Sequence, residues 1–204
     1  MDGTPAFRLR FPLKTAVWLI CLTPFALELH RGVGGSLGDQ AQMNAHLGTW
    51  SLRFLIAVLA AGPLARAIRS PRLLSLRREF GLLAFVYGLA HVVSYLVFSG
   101  AWRWPVTAVI ERPDFVPGTL ALLLLIPAAV ASFRVVRRRM GEARWRKVQA
   151  WTYPVAPLTV LHYAMPTGLE VLTPYVYGAA AAGLLGWRAW SAWSSRRPSL
   201  SIAK

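Results

Sequence analysis

Residues 80–99 read FGLLAFVYGLAHVVSYLVFS, a run of 20 residues without a single Lys, Arg, Asp or Glu. A helix of about 20 apolar residues is long enough to cross the hydrocarbon core of a bilayer, which is roughly 30 Å thick. The run also contains His91, and an ionisable side chain within a membrane span is costly and usually functional. This stretch therefore indicates a membrane protein and supplies the first candidate functional residue.

The composition of the whole chain agrees with this interpretation. Of the 204 residues, 55% are apolar and only 15% are charged, and the mean hydropathy is +0.44. Soluble domains carry about 25% charged residues. Cys21 is the only cysteine in the sequence, which excludes a disulfide framework and a thiolate metal site. The first apolar run lacks a small-residue cleavage site, so we expect no cleaved signal peptide.

Apolar runs of similar length recur along the chain. They predict helical spans at about 12–29, 43–64, 80–99, 117–133, 149–166 and 173–193. The runs are too long for barrel strands, and they lack the alternation of polar and apolar residues that such strands show. We therefore predict an all-α integral membrane bundle of six transmembrane helices, with residues 1–204 forming one domain.

The basic residues are distributed unevenly between the two sides of this bundle. Of the 23 Lys and Arg residues, 19 lie at the two termini or in the second and fourth connections, whereas the opposite connections hold only Arg31, Arg103 and Arg112. Because Lys and Arg concentrate in cytoplasmic loops, both termini are predicted to be cytoplasmic. The net charge of +15 then reflects topology and attraction to anionic membrane lipid. We do not expect nucleic-acid binding, since no segment is long enough to fold as a separate soluble domain.

Two histidines lie at matching depth in different predicted spans. His91 is 11 residues beyond Phe80, and His162 is 12 residues beyond Ala150, which places them about 16 and 18 Å from the cytoplasmic ends of their helices. Two imidazoles on opposite faces of one macrocycle form the ligand set of a bis-histidine haem. Small residues that would leave room for a planar cofactor lie nearby: Gly88, Ala84, Ala90, Ala156 and Ala164. The alternative is that one histidine bonds a neighbouring helix and the other lines a polar cavity.

Other ligand chemistries have less support in the sequence. A non-haem metal site needs further carboxylate or histidine ligands, but Glu28 and Glu170 lie near the outer rim and no other carboxylate falls within the predicted spans. His46 lies near the outer end of the second span, where it could contact a haem propionate, bind a quinone or simply face the interface. We expect His30 to be solvated.

The order and spacing of several short motifs resemble a known family. The motifs are His46-Leu47-Gly48 with Arg53-Phe54-Leu55, Pro63-Leu64-Ala65-Arg66, Arg77-Arg78 through Gly81-Leu82 to His91 and Ser94-Tyr95, Arg112-Pro113, and Gly141 through Trp145 and Tyr153 to His162-Tyr163. Between about Gly35 and Trp187 the chain is similar to the haem-binding membrane subunits of the periplasmic methionine sulfoxide reductase system (MsrQ, formerly YedZ). This family belongs to the ferric-reductase-like transmembrane group.

The resemblance implies an electron carrier of the bacterial inner membrane that holds haem b and a flavin, FMN. Such a subunit passes electrons to a periplasmic molybdopterin-containing methionine sulfoxide reductase, which repairs oxidised proteins. His91 and His162 match family haem histidines. The family often has a further histidine 13 residues before the second of these, where this chain has Gln149. Because glutamine is not a normal haem ligand, we expect one haem per chain.

The route by which electrons enter is left open by the sequence. No histidine lies in the cytoplasmic half of any predicted span. FMN held by Arg77, Arg78 and Arg66 at its phosphate would bridge that half, with electrons from a cytoplasmic flavin reductase using NAD(P)H. Alternatively, the quinone pool supplies the electrons and the arginines only anchor the topology.

We predict an electron-transfer subunit without catalytic residues of its own, and two other functions compete with it. The first is a stand-alone ferric or other metal reductase, which usually carries a nicotinamide-binding unit, but the sequence has no G-x-G-x-x-G motif of that kind. The second is a haem-free transporter, for which inverted repeats are typical.

Overall fold

The computed structural model describes residues 10–100, 103, 106, 110–167 and 170–194, with side chains from residue 13 onward. No strand occurs in this part of the chain, so the all-α prediction is confirmed. Four cations assigned to the cytoplasmic side, Arg8, Arg196, Arg197 and Lys204, lie outside the described residues. The helices are α1 (Arg10–Gly32), α2 (Leu37–Ala67), α3 (Pro71–Ser99), α4 (Phe115–Val130), α5 (Arg134–Met140), α6 (Glu142–Ala150), α7 (Thr152–Thr167) and α8 (Thr173–Ser194).

Three of these helices, α1, α2 and α3, are long and apolar enough to cross a membrane. A fourth span results if α4 and α5 are counted together, although their axes diverge by 86°. Helices α4 and α7 have 16 residues each, which corresponds to about 24 Å of helix against a hydrocarbon core of roughly 30 Å. The chain is a multi-pass membrane protein. That it has six spans, with both termini on the cytoplasmic side, stays a prediction.

The outer surface of the helices is apolar, as a lipid environment requires. Leu19 and Ile20 of α1 are 67% and 70% exposed, and Trp190 of α8 is 62% exposed. Soluble monomers rarely expose contiguous apolar patches of large side chains. These faces are therefore suited to contact lipid tails.

Helix α2 lies at the centre of the packing and contacts α1, α3, α7 and α8. It begins with a capping box, in which the Ser36 hydroxyl accepts from the Asp39 N–H and the Asp39 carboxylate accepts from the Ser36 N–H. Its buried face meets α3 and contributes Met43, Leu47, Phe54 and Leu55 to a core shared with Leu83 and Tyr87. The Tyr87 hydroxyl donates to the Cys21 carbonyl at 2.6 Å, which ties α3 to α1.

Two of the small residues that we expected beside a cofactor are buried in helix packing instead. Ala84 is fully buried, and its carbonyl accepts from the Ser51 hydroxyl at 2.8 Å. Ala156 is buried with Leu59 and Ala181. The expectation was wrong for Ala84 and Ala156, because small side chains let helix backbones approach closely. Gly88 is partly exposed, and its place beside a cofactor stays a prediction.

The prediction that no carboxylate other than Glu28 and Glu170, near the outer rim, falls within the spans is also wrong. Helix α3 starts at Pro71, well before residue 80, and therefore includes Glu79, which is only 4% exposed. Its carboxylate accepts from the Lys14 ammonium and from the Trp18 indole N–H, and it lies 3.5 Å from Arg78. A buried carboxylate needs such donors, and here they connect α1 to α3.

Candidate functional site

The two histidines that share a depth in the sequence face each other in the structure. His91 of α3 and His162 of α7 have ring centroids 5.9 Å apart and ring planes at 72°. Two metal–imidazole bonds of about 2 Å, together with about 1 Å from each nitrogen to its ring centre, require a separation of about 6 Å. The separation of the two rings therefore fits two imidazoles that share one iron.

The ring of His91 is held by a main-chain carbonyl of α2. Its Nδ1 lies 2.9 Å from the Asn44 carbonyl oxygen. A carbonyl can only accept, so Nδ1 carries the proton and the neutral ring presents its lone pair at Nε2. The Asn44 side-chain amide donates back to the His91 carbonyl at 2.7 Å and to the Ser94 hydroxyl at 2.8 Å. Asn44 thus fixes both the ring and the backbone of His91.

The ring of His162 is held in the same way at the start of α4. Its Nδ1 lies 2.6 Å from the carbonyl oxygen of Asp114, the residue before Phe115. The buried Asp114 carboxylate accepts from Arg112 at 3.0 and 3.1 Å, and this contact raises the pKa of the guanidinium. The Arg112-Pro113 motif therefore fixes the loop whose carbonyl orients His162.

A glycine lies beside each of these rings. In an α-helix the carbonyl of residue i accepts from the N–H of residue i+4, so a side chain at i+4 lies near that carbonyl. Gly48 follows Asn44 by four residues and Gly118 follows Asp114 by four. A Cβ on Gly48 would lie 3.0 Å from Nδ1 of His91, and a Cβ on Gly118 would lie 2.9 Å from Nδ1 of His162. Glycine allows each ring to reach its carbonyl.

Aromatic side chains connect the two halves of the site. Tyr95, one turn beyond His91 on α3, packs edge-on against Phe115 of α4 with ring centroids 4.8 Å apart. Phe115 in turn lies 6.3 Å from the ring of His162, and the Arg112 guanidinium lies 4.9 Å from its ring centre. The paired helices α2 and α3 thereby meet the paired helices α4 and α7 at the two imidazoles.

Four residues of this site were missed by the sequence analysis: Asn44, Gly48, Asp114 and Gly118. Two of them act on the rings through main-chain carbonyls, which every residue has, so side-chain chemistry gives no signal for them. The only available signal was the repeated spacing of an Asn or Asp four residues before a glycine.

His46 does not join the imidazole pair. It is two residues from Asn44, which corresponds to about 200° around a helix, and therefore faces away from His91. Its Nδ1 lies 2.9 Å from the carboxylate of Glu28 in α1, a residue only 8% exposed. His30 is exposed on the surface of α1.

The structure brings together only two of the three arginines that were predicted to contact a flavin phosphate. Arg66 and Arg77 line one cavity of about 550 Å³, together with Arg69, Arg188 and Trp187. Arg78 instead donates to the Ser132 carbonyl at 3.0 Å and pairs with Glu79. The cavity thus has four guanidinium groups and no carboxylate among its lining residues.

Gln149 stands where the family often has a histidine, and its side chain forms a hydrogen bond within the protein. Its side-chain amide donates to the Ala128 carbonyl at 3.1 Å, near the end of α4. Within the described residues, no group of three or more His, Cys, Asp or Glu side chains could hold a metal ion. A metal at the two imidazoles would therefore depend on a macrocycle for its other ligands.

Comparisons with known proteins agree with this architecture. Residues 47–160 match the family described as ferric reductase like transmembrane component. The heme-binding subunit MsrQ of protein-methionine-sulfoxide reductase from Caulobacter vibrioides is 37% identical, over 84% of this chain and 84% of its own length. The corresponding subunits of Xanthomonas oryzae pv. oryzae and Polaromonas naphthalenivorans are each 34% identical, over 90% and 98% of this chain and 88% and 94% of their own lengths.

These relatives are at least 34% identical to this chain and align with 84% or more of it, which is enough to establish a common family. The matched region includes Gly48, His91, Arg112 and Gly118 and ends two residues before His162. This chain is therefore a member of the MsrQ family of ferric-reductase-like transmembrane proteins.

Proposed function

We propose that this protein is a membrane electron-transfer subunit that binds one haem b between His91 and His162. It passes electrons to a periplasmic molybdopterin-containing methionine sulfoxide reductase that repairs oxidised proteins. The observation that carries the proposal is the pair of facing imidazoles, each fixed at Nδ1 by a peptide carbonyl. The relatives are named as heme-binding subunits of a protein-methionine-sulfoxide reductase, which supports haem as the cofactor and a methionine sulfoxide reductase as the partner.

The residues of the site suit electron transfer better than substrate chemistry. Haem iron, when bound, accepts and releases one electron at a time. His91 and His162 would both be used in holding the haem, so it would supply electron transfer rather than a binding position for a substrate. The carbonyls of Asn44 and Asp114 accept from Nδ1 of the two rings, which leaves Nε2 of each ring as the nitrogen that would bind the iron, and such outer partners raise ligand basicity.

We further propose six spans in the bacterial inner membrane, with both termini in the cytoplasm. The uneven distribution of basic residues supports this orientation. The arginine cavity and the basic helices α5 and α6 would then lie on the cytoplasmic side, and the loop of Arg112 and Asp114 on the periplasmic side.

The function is tested with the full-length protein purified in mild detergent. We expect a reduced-minus-oxidised spectrum of low-spin haem b and about one haem per chain by pyridine haemochrome. Chemically reduced protein should be reoxidised rapidly by the molybdopterin-containing reductase together with a methionine sulfoxide peptide, and slowly when either is left out.

A Gln149→Ala variant is the control for stoichiometry and should keep the same haem content. Two haems per chain would contradict the single site. Reoxidation that is equally fast with ferric citrate alone would instead favour the metal reductase, and a protein purified without haem would favour the transporter.

We propose that FMN held in the arginine cavity would relay electrons from a cytoplasmic flavin reductase that uses NAD(P)H. The cavity volume lies in the range typical of small-molecule sites, and guanidinium groups bind phosphate through charge-assisted hydrogen bonds. We therefore expect the double variant Arg66→Gln, Arg77→Gln to bind FMN on the order of tenfold more weakly, with unchanged haem content. Flavin fluorescence after denaturation measures the FMN retained.

The matched control is Arg72→Gln, Arg138→Gln, which removes the same charge from exposed positions outside the cavity. Equal flavin loss in both variants would show that Arg66 and Arg77 have no specific role in FMN binding and only help to orient the protein in the membrane. Flavin binding unaffected by either variant would show that FMN is not held in this cavity, and a protein that binds no flavin would favour quinol as the donor. In that case the half-exposed His46, backed by Glu28, offers a base for the protons that quinol oxidation releases.

A further inference from the structure

Helices α5 and α6 form a short basic hairpin directly after α4. Helix α5 turns away from α4 by 86°, and Gly141 joins it to α6 with φ of 78°, a conformation that glycine adopts without strain. If α4 runs across the membrane, α5 must run along its surface. The hairpin therefore lies at the depth of the lipid headgroups.

A groove of about 570 Å³ lies between these two helices. Three apolar side chains line it: Val136, Met140 and Val148. Three cations complete the lining, namely Arg139, Arg144 and Lys147. Long basic side chains contribute an apolar stem and a charged end, so the groove combines an apolar surface with positive charge.

Most of this charge is not neutralised within the part of the chain that the structure describes. Residues 134–150 contain seven Arg or Lys residues and one carboxylate, Glu142. That carboxylate is engaged by Arg137 at 3.1 Å and by Arg146 at 3.8 Å. Among the described residues, no ion pair involves the three cations of the groove. A ligand for this groove should therefore be anionic at one end and apolar at the other.

We propose that the groove between α5 and α6 is a binding site for an anionic phospholipid of the adjacent leaflet. The first part of an acyl chain packs on Val136, Met140 and Val148, while Arg139, Arg144 and Lys147 contact the phosphate. Cations near a membrane surface attract anionic lipids, and the apolar lining adds contact area that a free anion cannot use. The proposal goes beyond electron transfer and does not depend on haem binding.

The test is native mass spectrometry of the full-length protein titrated with palmitoyl-oleoyl phosphatidylglycerol or with the corresponding phosphatidylcholine. We expect phosphatidylglycerol to bind preferentially. The triple variant Arg139→Gln, Arg144→Gln, Lys147→Gln should bind it at least about tenfold more weakly, because the charge-assisted contacts to the phosphate are lost.

The matched control is Arg134→Gln, Arg138→Gln, Arg146→Gln, which removes three charges from the same hairpin outside the groove and should change affinity by less than about twofold. Equal weakening in both triple variants would show diffuse attraction and overturn the site. So would unchanged binding in the groove variant, or competition by glycerol phosphate at the same concentration as the lipid.

A second variant keeps every charge and tests the apolar lining. Met140→Gln places a neutral polar side chain of similar size in the groove and should weaken phosphatidylglycerol binding. Elution volume and helical circular dichroism show whether each variant is folded, and the haem spectrum reports the proposed function separately. Lipid binding by Met140→Gln equal to that of the unmodified protein would overturn the proposed acyl contact.

Discussion

His91→Ala and His162→Ala are each expected to abolish the low-spin haem b spectrum of the purified protein. Either change removes one of two imidazoles whose rings face each other at 5.9 Å. The iron is then left with one axial ligand, and no described histidine other than His91 and His162 lies at the site. A reduced-minus-oxidised spectrum, taken at equal protein concentration, measures the loss.

The controls are the two remaining histidines. His30 is exposed on α1 and His46 pairs with Glu28 on the other side of α2, so His30→Ala and His46→Ala should keep the low-spin signal. A normal spectrum in His91→Ala or His162→Ala would refute the ligand pair, provided that the variant elutes as the unmodified protein does.

Gly118→Ala is expected to have the second largest effect, although it adds only one methyl group. The new Cβ would lie 2.9 Å from Nδ1 and 3.0 Å from two carbons of the His162 ring. The ring must move off the Asp114 carbonyl or α4 must shift, and either change misplaces the ligand nitrogen. Losing such an outer partner typically lowers metal affinity about 10- to 100-fold, which haem titration of the apoprotein measures.

Gly48→Ala should act in the same direction on His91 but more weakly, because its closest contacts are 3.0 and 3.1 Å. The matched control is Gly62→Ala, in the same helix α2, where an added Cβ meets nothing within 4 Å. This control should keep its haem affinity, since alanine is favoured over glycine in a helix. Equal haem affinity in Gly118→Ala and Gly62→Ala would show that the glycine does not position the ring.

Both predictions follow from the way in which two helix pairs share the site. Each pair contributes one imidazole and one carbonyl: α2 and α3 hold His91, and α4 and α7 hold His162. The contact of Tyr95 with Phe115 joins the pairs. A cofactor between the rings would therefore depend on the packing of the pairs as much as on the ligands.

Much of the fold could be predicted because membrane helices have a strong local signal. Long apolar runs without charge place the helices, and the helices found over Arg10–Gly32, Leu37–Ala67 and Thr173–Ser194 contain the predicted spans. The residues at which the helices begin and end were harder to predict. Pro71 opens α3 earlier than expected because proline is favoured in the first helical turn, and Glu79 is tolerated in the helix because Lys14 and Trp18 contact it.

By itself, the sequence determined the class of protein, the helices and the two histidines of equal depth, since hydropathy and position along a helix are properties of local sequence. Only the tertiary structure decided what holds those histidines. Each histidine is held by the carbonyl of a residue far away in sequence: Asn44 is 47 positions before His91, and Asp114 is 48 positions before His162. Glycines on the neighbouring helices leave these carbonyls accessible. The packing of helices also separated Arg78 from Arg66 and Arg77, because neighbours in sequence point to different sides of a helix.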